Sequence, residues 1–491
     1  MRLRFRTLAP AIGLATALCG AAAAPAAAAQ TLDLTETVKY ALAHDTTLLS
    51  KRATLANLEE NFVQQHGAEF PQIAGNLQNQ SEKSANYQGT SAQFGVTPLS
   101  QFSQNTAQIT GQWTLYNGSL NQVLAQEDRR QVESARSDLL RNEDQVAADV
   151  AAAFYDLAVK RQTVTLDVAN LAYQRDLVEA ARANERVGKE AGVDVLRAEV
   201  AATRAEASLV TAQADDANSS EALASRIGAP LDVGFAVPSP IPEPPVPQAP
   251  ADRLIGIALT ARPDVAAAQA TLRAAILSNA AIDTDLLPQV AVNGGFGNQF
   301  SASLQASEQQ SVDAENAAAI TQYLLLKHIA PPGVLIPPPT LLPPVPRGNP
   351  GFWQIGATAS WTVPIIDYGK RHAQHRAAAA QIASASGDLA NVRSAVELDV
   401  RQSLRNVDAN STNLRLAKQS AQLASESARI SRLQYQHGLI SFTDAEATSQ
   451  TALSAETDLA GAQVTYLVSL IRLRVAVGAT DPVAAVQVGA K

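Results

Sequence analysis

Proline is spread so unevenly along this 491-residue chain that its distribution alone restricts the fold. Eight of the 25 prolines fall between Pro230 and Pro250 and nine between Pro331 and Pro350. None occurs from Leu99 to Ala229, and after Pro364 none occurs before Pro482. The proline ring blocks the backbone hydrogen bond a helix interior needs, so two proline-free spans rich in Ala, Leu, Gln, Glu and Arg read as long helices. Within them Val150, Leu157, Val164, Leu171 and Val178 recur at sevens, as do Val400, Val407, Leu414, Ala421 and Ala428. A sustained heptad implies packing against neighbouring helices over the whole length. The outgoing helix, about Ser119 to Val187, would be roughly 100 Å long at the usual rise per residue. Helices returning to Ile227 and Val477 are shorter. Alanine dominates the seam and buries little area per residue, so stability must come from lateral contacts among many helices.

The chain is an internal duplication. Ala41-Leu42 and Phe70-Pro71-Gln72 return as Ala258-Leu259 and Leu287-Pro288-Gln289. Farther on, Gly118, Gly188, Asp194 and Ile227-Gly228 return as Gly369, Gly438, Asp444 and Val477-Gly478. The offset between copies grows where the second carries its proline-rich insertion, which is read as a loop over about 301–351. The first repeat covers 30–234 and the second 251–480, with a stiff proline-rich linker over 235–250 and a tail over 481–491. Each repeat opens with a helix, about Asp33–His66 and Ala251–Asp285, and Asp33 with Glu36 matches a capping box.

Two β-like segments follow each opening helix. Trp353, Ile355, Ala357, Ala359, Trp361 and Val363 alternate with polar residues or glycine, and so do Ala107, Ile109, Gly111, Trp113 and Leu115. Weaker alternation marks Ile73–Leu77 and Val290–Phe296. Strands of about ten residues with tryptophans near their ends fit a membrane β-barrel with aromatic girdles, here Trp113, Trp353 and Trp361. A small soluble sheet is the rival reading. Four strands cannot close a barrel, and lipid does not tolerate an open edge, so a membrane reading requires several chains to share one barrel.

Residues 1–29 read as an export leader. Arg2, Arg4 and Arg6 precede an apolar run, and Ala27-Ala28-Ala29 suits cleavage. Its loss takes the formal charge from −8 to about −11, which argues against a nucleic-acid partner. Cys19, the only cysteine, lies inside this leader behind a bulky Leu18 that suits lipoprotein processing poorly. No disulfide, thiolate chemistry or cofactor is expected in the mature chain, and no Gly-x-x-x-x-Gly-Lys-Ser/Thr phosphate loop is present. Neither a Ser/His/Asp nor a paired-carboxylate arrangement stands out, so the chain reads as no enzyme. His372 and His375 stand one turn apart beside Lys370, Arg371 and Arg376, a basic band better suited to a membrane-proximal collar than to a metal.

In their order and spacing, the duplication, the two x-Pro-Gln steps, Leu115-Tyr116-Asn117-Gly118, Ile366-Asp367-Tyr368-Gly369 and Tyr435-x-x-Gly438-Leu439 with Asp444 resemble the outer-membrane efflux (TolC) family. The resemblance covers about 32–477. It implies a mainly α fold with a transmembrane β part: a homotrimer whose 12-stranded barrel in outer-membrane lipid continues as a periplasmic α-helical barrel. Such proteins are passive exit ducts of tripartite efflux or type I secretion systems, coupled through a periplasmic adaptor to an inner-membrane pump. A non-conducting periplasmic scaffold or adaptor is the alternative.

The same resemblance places Asp194, Asp444 and Tyr435 at the periplasmic aperture, and Val187, Gly188, Lys189, His437, Gly438 and Leu439 at adaptor-docking tips. Each has a plain structural counterpart. Ser441-Phe442-Thr443-Asp444 matches a capping box, Gly188 and Gly438 suit left-handed helix ends, and Tyr435 extends the second heptad. The tips are chemically unequal, with Lys189 and Gly192 on one against Leu439 and Ser441 on the other. Arg197 and Ala447 stand where relatives can carry a second acidic ring, which weakens the case for a strongly cation-selective aperture.

Overall fold

A computed structural model describes residues 31–85, 99–188, 191–247, 249–331, 333–345 and 351–479. The expected leader with Cys19, Lys189 and the expected tail over 481–491 lie outside them. Each repeat opens with two helices rather than one: α1 (Leu34–His44) and α2 (Thr46–Gly67), then α5 (Ala251–Ala261) and α6 (Pro263–Ala281). The breaks are local. Asp45 caps α2 by accepting from the amides of Thr47 and Leu48, and Pro263 occupies the first turn of α6, where its missing N–H costs nothing. The expected capping box at Asp33 and Glu36 is formed, with side-chain bonds of 2.7 and 3.3 Å.

The long helices are α3 (Leu120–Arg186) and α8 (Lys370–Gln436), each 67 residues, and the returning α4 (Gly192–Ile227) and α9 (Phe442–Val477), each 36. The heptads face inward. Val150, Leu157, Leu171 and Val178 are buried in α3, and Val400, Val407, Leu414 and Ala421 in α8. Next to the returning helices the order across one chain is α4–α3–α9–α8, while α2 and α6 pack beside α3 and α8. A mean hydropathy of 1.2 makes α9 and Pro263–Thr284 apolar enough for membrane helices, yet both are built into this helical rod.

A two-residue parallel pair, β1 (Thr31–Leu32) and β4 (Gly234–Phe235), ties the chain start to the linker. The linker is docked rather than free. Phe235 and Ile241 are buried, Glu243 binds Lys418 and Gln463, and Tyr466 donates to the Pro244 carbonyl.

The main sheet has four strands, β2 (Gln72–Ala85), β3 (Leu99–Asn117), β5 (Gln289–Ser301) and β6 (Gly351–Ser360), antiparallel in that order. Where β3 turns into α3, Gly118 is left-handed at φ +70°, and a side chain there would run into the Thr284 carbonyl. The proline-rich insertion is not simply a loop. It begins with α7 (Ala302–Ile329), and its proline-rich part then runs back along that helix. Proline density in the second half of the insertion masked a helix in the first.

One buried cation binds several of these parts. Arg262, between α5 and α6, pairs with Asp264 and Asp399 at 2.6 Å each and donates to the Ala476 carbonyl near the end of α9. Arg141 of α3 joins it, 3.9 Å from Asp264 and bonded to the Val475 carbonyl.

Candidate channel wall and hairpin tips

Directly paired residues share one face of a sheet, so the register sorts the strands. One face carries Ile73, Leu77, Ile109, Trp113, Val292, Phe296, Trp353, Ile355 and Ala357. The other carries Gln72, Asn76, Gln108, Thr110, Gln112, Asn293, Gln354, Thr358 and Ser360. Apolar on one side and polar on the other is the division a barrel strand shows between lipid and lumen.

The tryptophans bracket the apolar face. Trp113 and Trp361 donate their indole N–H to the carbonyls of Glu69 and Leu286, each two residues before a duplicated proline, so both rings mark the helix-to-strand step. Trp353 stands opposite Phe296 at the far end of β6 and is 79% exposed. The eight steps from Trp353 to Trp361 span roughly 27 Å, or roughly 20 Å along the normal of a tilted strand, close to the height of an outer-membrane apolar band.

At the opposite end of the molecule, Gly188 and Gly438 close α3 and α8 at φ +72° and +73°, with open space around them. The Gly438 amide donates to the Tyr435 carbonyl and the Leu439 amide to that of Gln434, both at 2.8 Å, which satisfies the helix end. Val187 and Leu439 are 67% and 73% exposed, and His437 is exposed beside them.

The two aspartates open the returning helices. Ser441 caps α9 by accepting from the Asp444 amide at 3.2 Å, and its hydroxyl donates to the Asp444 carboxylate at 2.8 Å. Ala191 offers the first tip no such cap, and Asp194 instead pairs with Arg197 at 2.9 Å. The two tips lean on each other through Leu177, Val178, Val195 and Ala198 of the first hairpin and Tyr435, Phe442 and Ala445 of the second.

Tyr435, expected at the aperture with the aspartates, is fully buried here, its ring edge-on to Phe442 at 6.1 Å. It continues the heptad of α8 and packs in the cluster where the two tips meet. A contact the sequence did not suggest lies one turn earlier. Arg432 bridges to Asp176 of α3 at 2.5 Å and sits over the Tyr173 ring. No periodicity links residues 256 apart in sequence, so nothing in the pattern could have paired them.

His375 ties α8 to the end of α6, 3.2 Å from Asn279 and 2.9 Å from Asp283, while His372 is exposed. Among the described residues no group of three or more His, Cys, Asp or Glu is placed to hold a metal.

The profile of the outer membrane efflux protein family matches residues 37–229 and 347–479. The chain belongs to that family. This efflux protein is accordingly an outer-membrane efflux channel protein with a periplasmic helical extension. Its fold is shared with VceC of Vibrio cholerae (TM-score 0.65, 19% identity, 91% of this chain and 96% of that one). The Campylobacter jejuni channel CmeC matches at TM-score 0.69 and 14% identity, over 91% and 85% of the two chains. The open state of Neisseria gonorrhoeae MtrE matches at TM-score 0.66 and 16% identity, over 91% and 89%. No curated protein matches the sequence.

Proposed function

We propose that three copies of this chain close into one ring, a 12-stranded barrel in the outer membrane continued by a helical tunnel, and that the ring is the passive exit duct of a tripartite efflux or secretion system. One observation carries the ring: the open edges of sheet and rod belong to the same repeats. β2 and α4, from the first repeat, end one side, and β6 and α8, from the second, end the other. One rotation can therefore join β6 to a neighbour's β2 and α8 to its α4, a head-to-tail contact that closes when the rotation does.

Both helical edges carry exposed apolar side chains: Val193, Leu196, Val200 and Val210 on α4, and Leu416, Leu423, Ile430 and Leu433 on α8. Unpartnered stripes of this kind suit a subunit contact. The number three comes from the family resemblance, as do the adaptor and the inner-membrane pump. In that reading the exposed tip residues Val187, Gly188, His437, Gly438 and Leu439, together with Lys189, receive the adaptor.

A detergent-purified complex should run as a trimer until heated and conduct ions in a planar bilayer. A monodisperse monomer that stays soluble without detergent would return the chain to the scaffold reading. In the ring, Asp194 and Asp444 bring six carboxylates to the periplasmic end. Replacing both by Asn should weaken block by trivalent cations applied from that side, and an unchanged block would leave them as helix-start residues only.

A further inference from the structure

Residues 302–346 of the insertion between β5 and β6 lie in the stretch 230–346 that the family profile leaves unmatched, along with α5, α6 and β5. The insertion has a definite structure. From Ser301 the chain passes directly into α7, turns at Gly333 with φ +103°, and returns as an extended proline-rich segment, 333–345. Asn316 holds the returning strand as a backbone would: its amide donates to the Leu342 carbonyl and its oxygen accepts the Leu342 amide, at 3.0 and 2.7 Å. Gln309 accepts from the Val345 amide at 2.8 Å.

Among the described side chains of α7, Gln309, Val312, Asn316, Ala319 and Tyr323 are half-buried, about one per turn, and Gln309 and Asn316 of these hold the return. The far end is not covered. Leu324, Leu325, Ile329, Val334 and Leu335 lie exposed there, Leu335 at 95%. So much clustered apolar surface on an exported protein calls for a partner.

We propose that this partner is the same end of the neighbouring copies: in the ring, three α7 hairpins lean together beyond the outer rim of the barrel and join their apolar ends into a crown. The proposal rests on the ring reading of the preceding section. The hairpin is spliced between β5 and β6, and β6 is the strand that meets the next copy, so the hairpin is continuous with the subunit contact.

The dimensions permit it. Twelve strands at about 4.8 Å spacing and a tilt of about 40° give a barrel radius of roughly 12 Å, placing three hairpin bases roughly 20 Å apart. The 28 residues of α7 reach roughly 42 Å, so a lean of roughly 15–20° brings the ends to the axis. Tethering to one ring raises their effective concentration to the millimolar range, where a modest apolar contact suffices.

The test uses the full chain in intact cells, and the sole native cysteine, Cys19, falls in the leader. Leu335→Cys is introduced at the apolar end and, separately, Ser311→Cys nearer the base, both at exposed positions. Under mild oxidation Leu335→Cys should form disulfide-linked dimers at least about tenfold more than Ser311→Cys, with the heat-labile trimer intact. Two results with an intact trimer would overturn the crown. In one, Leu335→Cys is uncrosslinked and reacts freely with a membrane-impermeant maleimide, as for an end facing solvent or an unrelated partner. In the other, it reacts only with a membrane-permeant reagent, as for an end resting in lipid. Absence of the trimer itself would instead overturn the ring, and the crown with it.

Discussion

At the second hairpin tip an aromatic pair spans the turn. Tyr435 is buried against Phe442 across the turn, within the cluster through which the two tips meet. Tyr435→Ala should cost about 3 kcal/mol, read as a lower unfolding temperature and faster proteolysis at residues 437–441. Ser441→Ala removes the cap and the hydroxyl's bond to the Asp444 carboxylate and should cost about 1 kcal/mol. A comparable change at Ala191 has no cap to remove, so the two tips should differ in resistance to cleavage.

A second residue-scale effect is electrostatic. Burial pushes the Asp144 carboxyl up to about 6, against a smaller downward pull from Arg141 and with Glu143 adding to the rise. Folded Asp144 thus keeps a proton that the unfolded chain releases near pH 4, so its contribution to stability falls as pH rises from about 4 to 6 and is level above that. Asp144→Asn should therefore gain stability relative to the native chain across that window. Paired melting curves at pH 4 and 7 would show the difference widening.

Among elements, the junction at Arg262 joins most pieces of the second repeat. Its guanidinium spans Asp264 at the start of α6, Asp399 of α8 and a carbonyl near the end of α9. Arg262→Ala leaves a half-buried carboxylate beside a hydrophobic cluster and should cost about 3 kcal/mol by denaturant titration. Arg262→Lys should recover only part of this, because an ammonium cannot reach both carboxylates in the planar geometry a guanidinium offers.

Which elements could be read from sequence follows from how local their cause is. The long helices and the strands β3 and β6 were legible because one period repeats without interruption. β2 and β5 were fainter because glycines such as Gly75, Gly294, Gly295 and Gly297 dilute the alternation. The break at Asp45 turns on one carboxylate capping the next helix, and an alanine- and leucine-rich periodicity runs straight across it. The second break falls at Pro263, whose ring suits the first turn of α6, and the same periodicity runs across it. At the tips the glycines and the Ser441 cap are local and were visible, whereas Arg432 with Asp176, like Arg262 with Asp399, exists only once distant segments are brought together.

At the scale of the whole molecule, a ring makes a distinction the single chain does not. Residues in the seam between α3 and α9 hold one subunit together, whereas the exposed stripes on α4 and α8 have nothing to hold until a second copy arrives. Val200 and Leu423 are 50% and 73% exposed in the single chain, so Val200→Asp and Leu423→Glu remove little that folding needs. Burying either carboxylate in a helix–helix contact without a partner would cost several kcal/mol at each of three equivalent seams. Both variants should therefore keep native helix content by circular dichroism while the heat-labile trimer disappears. An equally disruptive change at Leu157, buried in the first hairpin, should lose helix content and trimer together. If the stripe variants still assemble as well as the native chain, the contact between copies does not run along α4 and α8, and the tunnel wall must close through other faces.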